Sequence, residues 1–331
     1  MLFLFIREKE DLLLYVALTA ATGLLGNVSM WGYLKGQVEK PVLKELRPLR
    51  HLKETLVYFI PTIATSVYTI LDKTMLGWFS GENKSQNGYY EYATGFVNMA
   101  KILIMSFNAV MSARMSYLFG TGRMEEIHKR FQDSLDFVLL MAMPIMLGLA
   151  GIAAQFIPWF LGNGYLPVTF LMYVCSPLVL VVGLSDCIGS QILTPGGKRA
   201  QSGKVIVAGA MVNACLNFLL IPHFAALGAA AASVAAECFI TSLYLWLGRD
   251  FIKLKMLVRY GWRRLVAAVI MLGAVVWTGQ FLEQVRGLGP ITTFVQIGAG
   301  AVVYLLVLLV MRDPFLYQYL GKIYRRLTGQ P

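Results

Sequence analysis

Residues 203–247 read GKVIVAGAMVNACLNFLLIPHFAALGAAAASVAAECFITSLYLWL. Two apolar runs, 203–221 and 224–247, are divided by a short turn at Pro222 and His223. A helix needs about 20 mostly apolar residues to cross the hydrocarbon core of a bilayer, and each run is near that length. Working outward, runs of the same kind recur at 12–34, 54–79, 90–118, 132–154, 166–194, 264–282 and 290–311. The expectation is an all-α polytopic membrane protein of about nine transmembrane helices. The third and fifth runs are longer than a bilayer requires, which implies tilt or extension beyond it.

The segments between the runs alternate in Lys and Arg. The first connector holds Lys35, Lys40, Lys44, Arg47, Arg50 and Lys53, and the second only Lys84. Arg123, Lys129 and Arg130 follow, then a connector with none; Lys198, Arg199 and Lys204 come next, then the bare turn at Pro222. Six more stand between Arg249 and Arg264, one at Arg286, and four in the tail at Arg312, Lys322, Arg325 and Arg326. Twenty-two basic residues thus fall on one side, against Arg7, Lys9, Lys84 and Arg286 on the other. Basic connectors are retained in the cytoplasm, so the C-terminus is expected there and the N-terminus outside. The opening stub MLFLFI is too short to span and lacks the basic leader and cleavage site of a secretory signal. We expect the chain to begin in the tail of a helix whose upstream part is absent.

Composition agrees with this reading. The chain is 57% hydrophobic and 14% charged, where a soluble surface carries about twice that charge fraction. The net charge of +11 sits in connectors between apolar runs rather than on one face, which argues against a nucleic-acid partner. Cys175, Cys187, Cys215 and Cys238 each lie in apolar sequence and read as buried free thiols, with no disulfide framework, zinc site or other cofactor implied. His51, His128 and His223 fall in expected loops, and none forms a nucleophile–base pattern, so nothing in the chain looks like an enzyme.

An ionisable side chain at membrane depth costs at least about 2.5–3.5 kcal/mol near the bilayer centre, so it is paired or faces a cavity. The candidates are Asp72, Lys73, Lys101, Arg114, Asp136, Asp186 and Glu237. At a rise of about 1.5 Å per residue, Asp72 lies roughly 11 Å and Lys101 roughly 16 Å below the outer helix ends, within reach of each other across a hairpin. Arg114 and Asp136 flank a cytoplasmic turn and form a second expected pair. Both pairs can also be read as charges that merely satisfy each other or snorkel. Glu237 near mid-membrane and Asp186 in the inner half are either inert or part of an ion-coupling step. Asn213 and Asn217 stand one turn apart on one helix face, where their amides meet another helix or water. The small-residue run Gly228–Ala232 suits close helix packing, and Pro61, Pro144 and Pro177 are expected to interrupt their helices.

Two stretches carry a resemblance. One is Asp72-Lys73-Thr74-Met75-Leu76-Gly77, followed by Gly88-Tyr89-Tyr90-Glu91-Tyr92-Ala93; the other is Asn213-Ala214-Cys215-Leu216-Asn217, Ile221-Pro222 and Gly228-Ala229-Ala230. Together, and over nearly the whole chain, they resemble the C-terminal half of the polysaccharide transporter family, the O-antigen and capsule repeat-unit flippases. That family belongs to the multidrug/oligosaccharidyl-lipid/polysaccharide exporter superfamily. The glycine that the family often shows after Ile-Pro is Ala225 here. The resemblance implies three regions: 1–53, the last helix of a truncated first lobe and a cytoplasmic linker; 54–247, a six-helix lobe; and 248–331, an extra helix pair and cytoplasmic tail. Most of the first lobe would then be missing, as in a truncation, a mis-assigned start or one half of a split transporter with a partner lobe.

The activity implied is export of a lipid-diphosphate-linked oligosaccharide across a bacterial plasma membrane. Lys101, Arg114, Asp72, Asn213 and Asn217 would lie along the substrate path among membrane lipids, with Glu237 and Asp186 as the ion-coupling groups. A drug/cation antiporter of the same superfamily is the nearest rival, although its cavity would favour acidic and aromatic residues where the deep charges here are mixed. A membrane-embedded glycosyl- or acyltransferase would need a catalytic motif that Glu125, Glu126, Asp133 and Asp136 do not supply. A remnant or half-transporter that does not itself transport is the third reading.

Overall fold

A computed structural model describes residues 12–34, 52–79, 81, 85–252 and 254–318. The opening stub, most of the first basic connector with His51, Lys84, Lys253, and the tail residues Lys322, Arg325 and Arg326 lie outside the described residues. All regular structure among the described residues is helical. Helix α1, Leu12–Met30, carries no charged residue, as a spanning segment requires, and belongs to a unit of its own, Met1–Glu54.

The second unit begins at Thr55. It contains α2 (Leu52–Phe79), α3 (Ser85–Gly120), α4 (Met124–Phe160), α5 (Leu166–Cys175), α6 (Leu178–Ile188), α7 (Arg199–Leu247), α8 (Leu254–Arg286) and α9 (Pro290–Val310). Of the described helices, six are long and apolar enough to cross a membrane singly; α5 and α6, bent by 42° at Ser176–Pro177, make a seventh span if taken together. Helix α2 has the length, at 28 residues, but carries Lys53, Glu54, Asp72 and Lys73 and is not among the six.

The remaining difference from nine lies in α7. A continuous 49-residue helix would place Gly209 and Ile240 about 46 Å apart at 1.5 Å per residue. Instead, a methyl group on Gly209 would collide with Ile240, and one on Gly228 would lie 2.5 Å from the Leu220 carbonyl oxygen. The helix folds back on itself at Ala225, whose φ of 47° and ψ of −126° break the helical run. Residues 199–224 and 226–247 are therefore antiparallel arms, and the small residues expected to permit close packing stand where the backbones meet.

Helix α4 sits at the centre of this unit. It packs against α3, α5 and α6 on one side and against α8 and α9 on the other. Pro144 lies within α4 without ending it, and Pro61 lies within an unbroken α2; of the three expected interruptions only Pro177 separates two helices. A proline has no N–H for the carbonyl four residues earlier, which here is Leu140. Tyr304 of α9 donates its hydroxyl to that carbonyl at 2.9 Å. Gln296 Nε2 donates to Gln155 Oε1 at 3.2 Å and Trp159 Nε1 to Thr293 Oγ1 at 2.9 Å, so polar contacts join α4 and α9 along much of their length.

The charges near the expected cytoplasmic end differ from the pairing expected for them. Asp136 does not meet Arg114. It accepts from Arg264 Nη1 of α8 at 2.8 Å, and its main-chain oxygen accepts from the same atom at 2.8 Å. Arg264 also donates Nε to Asp313 at 3.2 Å, and both Arg264 and Asp313 are fully buried. Asp313 in turn accepts from the backbone N–H groups of Phe315 and Leu316 at 3.1 Å. Arg114 pairs instead with Glu126 at 3.6 Å on an exposed surface. The expected pair rested on equal depth, and nothing in local spacing pointed to a partner 128 residues away.

The four cysteines are free thiols, but only Cys175 and Cys187 are buried; Cys215 and Cys238 lie on exposed helix faces. His128 stands in the second turn of α4, stacked on Phe251, and His223 beside the α7 turn, rather than both in loops.

Candidate functional site

Asp72 lies near the end of α2, 2% exposed. A carboxylate at this depth needs donors, and three reach it. Tyr90 of α3 and Ser233 of the second α7 arm each donate a hydroxyl to Oδ2 at 2.8 Å. Asn217 of the first arm donates Nδ2 to Oδ1 at 2.5 Å and also to Asn213 Oδ1 at 3.0 Å. The i, i+4 spacing of the two asparagines places both amides on one face, toward the carboxylate. Asn213 Nδ2 and Asn217 Oδ1 remain buried without a hydrogen-bond partner in the protein. The cluster ties together α2, α3 and both arms of α7.

Asp72 and Lys101 do not form the ion pair expected of them, because the polar donors already surround the carboxylate. Both instead line a cavity of about 140 Å³, with Lys73, Glu91 and Glu237 also on its walls. Lys73 and Glu91 form an ion pair there. A second cavity of about 350 Å³ shares Glu237 and Val182 with the first, so the two adjoin. Its walls include Asp186, Ser190, Arg199, Ser202 and Tyr244.

The wall of the larger cavity is fixed by Asn108, fully buried on α3 two turns beyond Lys101 and on the same side of that helix. Its Nδ2 donates to Asp186 Oδ2 at 2.9 Å and to the Gly183 carbonyl at 3.2 Å, while Gln191 Nε2 donates to its Oδ1 at 3.1 Å. Residues Gly189–Leu193 form a π-helical turn, which carries Ser190 to the cavity wall. Such turns often mark functional positions in helices. Ser202 and Tyr244 hydroxyls lie 2.5 Å apart across the α7 hairpin.

The structure thus gathers Asp72, Asn213 and Asn217 into one cluster, places Lys101, Glu237 and Asp186 on the walls of two joined cavities, and leaves Arg114 outside both. Sequence reasoning missed Tyr90, Ser233, Asn108, Gln191, Arg199 and Tyr244. Asn108 was within reach of helical periodicity from Lys101, and Tyr90 stands inside one of the quoted motifs. Ser233 follows a run that suggested packing alone. Among the described residues no three His, Cys, Asp or Glu side chains are grouped to hold a metal ion.

Long apolar helices that gather deep charges around polar cavities define a multi-pass membrane protein. Comparison with known proteins narrows the class. The family described as polysaccharide biosynthesis protein matches residues 26–170. A candidate O-antigen transporter of Escherichia coli (strain K12) is 24% identical over 250 residues, covering 75% of this chain and 60% of that one. The fold is similar to that of the lipid II flippase MurJ in its inward closed conformation, with a TM-score of 0.62 and 18% identity over 82% of this chain and 58% of that chain. The chain therefore spans about 60% of the length of these relatives. The comparisons bear out the resemblance to the polysaccharide transporter and flippase family drawn from Asp72–Gly77 and Asn213–Ala230.

Proposed function

We propose that this protein takes part in moving a lipid-diphosphate-linked oligosaccharide from the cytoplasmic to the outer leaflet of a bacterial plasma membrane, for cell-surface polysaccharide. The observation that carries the reading is the pair of adjoining cavities inside a bundle of apolar helices, with Lys101 on the wall of the smaller, Arg199 on that of the larger, and carboxylates and hydroxyls on both. A sugar headgroup exchanges its hydration for hydrogen bonds to such groups, and a diphosphate requires cationic donors. Neither can cross hydrocarbon unaided.

Lys101, Asp72, Asn213 and Asn217 are proposed along the substrate path, with Arg114 at the cytoplasmic mouth and the C-terminus in the cytoplasm. Glu237, on the wall common to both cavities, and Asp186, beside the π-turn, are proposed for ion coupling. A drug/cation antiporter is less well supported, because the acids in these cavities are accompanied by three basic residues, Lys73, Lys101 and Arg199, and many hydroxyls rather than by stacked aromatic rings.

The test is complementation. In cells lacking their own repeat-unit transporter, the chain is expected to restore surface polysaccharide, and Lys101→Ala to lower it at least tenfold at equal protein level. Restoration by Lys101→Ala to the wild-type level would remove Lys101 from the path, and no restoration by the wild-type chain would count against transport.

A further inference from the structure

We infer that Arg114, Arg123 and Arg130 hold the phosphate of an anionic phospholipid on the lipid-facing side of the α3–α4 hairpin, a site outside both cavities that does not depend on the proposed function. Leu103, Val110 and Tyr117 recur at two-turn intervals along one face of α3, and each is more than half exposed. That face is turned away from Lys101 and Met105, which line the cavities. The apolar stripe runs into Arg114, one turn beyond Val110 and one turn before Tyr117, about 9 Å short of the end of α3. An acyl chain lying along the stripe would therefore carry its headgroup to Arg114.

Across the turn, α4 brings two more guanidiniums to the same place. Arg114 Nη2 and Arg130 Nε each stand 3.6 Å from Glu126 Oε1, and Arg123 Nη1 stands 3.7 Å from Oε2. A guanidinium hydrogen-bonded to a carboxylate lies about 2.7–2.9 Å from it, so Glu126 is shared among three arginines and hydrogen-bonds none of them. Arg130 Nε is buried and has no hydrogen-bond partner in the protein. Glu125 and Asp133, the other acids of this end of α4, form no ion pair with the three arginines. Three positive charges against the one of Glu126 leave an excess of two, with Lys129 beside them. A phosphate diester set among these side chains would receive the short, planar hydrogen bonds that Glu126 does not, while its chains followed Tyr117, Val110 and Leu103. Basic pockets between helices at the cytoplasmic surface recognise acidic lipid headgroups in this manner. The position favours a resident lipid over the transported one, because none of the three arginines lines either cavity. Arg114 stands at the cytoplasmic mouth in the proposed function, and a lipid held there would form the border between that mouth and the bilayer.

The test uses the purified full chain in phosphatidylcholine vesicles, with Cys175, Cys187, Cys215 and Cys238 replaced and a fluorophore on Tyr117→Cys. Phosphatidylglycerol and phosphatidylcholine, each spin-labelled on an acyl chain, are compared as quenchers. Phosphatidylglycerol is expected to reach half-quenching at a mole fraction at least threefold lower than phosphatidylcholine. The triple variant Arg114→Gln, Arg123→Gln, Arg130→Gln is expected to lose that preference, and Lys129→Gln to keep it. Equal quenching by the two lipids, or an undiminished preference in the triple variant, overturns the assignment. Glu126→Gln separates binding from a structural role: freed of their shared carboxylate, the arginines should prefer phosphatidylglycerol more strongly. An unchanged or weaker preference in Glu126→Gln overturns the site, and this variant decides should the triple variant not fold. Relief of quenching by millimolar glycerol 3-phosphate would make this a site for free phosphate. Relief by geranylgeranyl diphosphate at a mole fraction below that of phosphatidylglycerol would return it to the transported lipid; either result overturns the assignment.

Discussion

Ala225 holds φ at 47° with ψ at −126°, a region open to glycine and costly for a residue with a Cβ. A glycine would adopt this conformation without the Cβ clash that Ala225 meets. Relief of such strain is worth about 1–3 kcal/mol, offset by up to about 1 kcal/mol of added freedom in the unfolded chain. Ala225→Gly is therefore expected to raise the thermal unfolding midpoint in detergent by about 2 °C or more; a lower midpoint would contradict the strained turn. Asp72 gives a prediction of opposite sign. Asp72→Ala removes the acceptor that Tyr90, Ser233 and Asn217 share; Asn217 keeps Asn213 Oδ1, but the two hydroxyls, which can bond only each other, leave one buried donor unsatisfied at about 1–3 kcal/mol. The midpoint should fall by several degrees, and Asp72→Asn, which keeps a carbonyl oxygen, should lose less. Equal midpoints for Asp72→Ala and wild type would show that the cluster does not hold α2 to α3 and α7.

Helices α8 and α9 are fastened to α4 by two devices that act between elements. At Pro144 the helix loses one internal hydrogen bond, and Tyr304 supplies another. Tyr304→Phe is expected to cost about 1–3 kcal/mol in the wild-type background. In a Pro144→Ala background, where residue 144 regains its N–H, the same substitution should cost clearly less. A double-mutant cycle in detergent unfolding reads the coupling directly, and additive effects would rule the substitute bond out. The second device is the Arg264, Asp136 and Asp313 cluster. Removing one partner of a buried ion pair costs about 3–5 kcal/mol because it strands the other charge, whereas replacing the whole set is close to neutral. Arg264→Met alone should therefore unfold far more readily than the triple variant Arg264→Met, Asp136→Asn, Asp313→Asn. Equal loss in both variants would mean that the charges are not stranded.

For the whole molecule, segment length and basic-residue alternation carried most of the architecture in advance, because hydrocarbon thickness constrains every spanning helix alike. The hairpin of α7 was legible from Pro222 and the two apolar runs, and Asn213 with Asn217 from two amides on one face of a greasy helix. The partners of the deep charges were not legible. Asp136 meets Arg264 across 128 residues and Asp72 meets Ser233 across 161, separations that helical periodicity says nothing about. Equal depth suggested Asp72 with Lys101 and Arg114 with Asp136, yet depth fixes only one of three coordinates. The larger cavity was hidden for the same reason, since Asn108 of α3, Ser190 of the π-turn, and Arg199 and Tyr244 of the two α7 arms meet only in the packed fold.

The central claim is that the bundle holds a wet, charged interior between helices whose other faces meet lipid. Single cysteines at Lys101 and at Met99, introduced after Cys175, Cys187, Cys215 and Cys238 are replaced, test it on one helix at one depth. Met99 is 68% exposed and outside both cavities, whereas Lys101 lines the smaller one. A membrane-impermeant, water-soluble maleimide applied to membrane vesicles of both orientations is predicted to label the cysteine at 101 and to spare the one at 99. Labelling of 99 alone, or of neither, would contradict it.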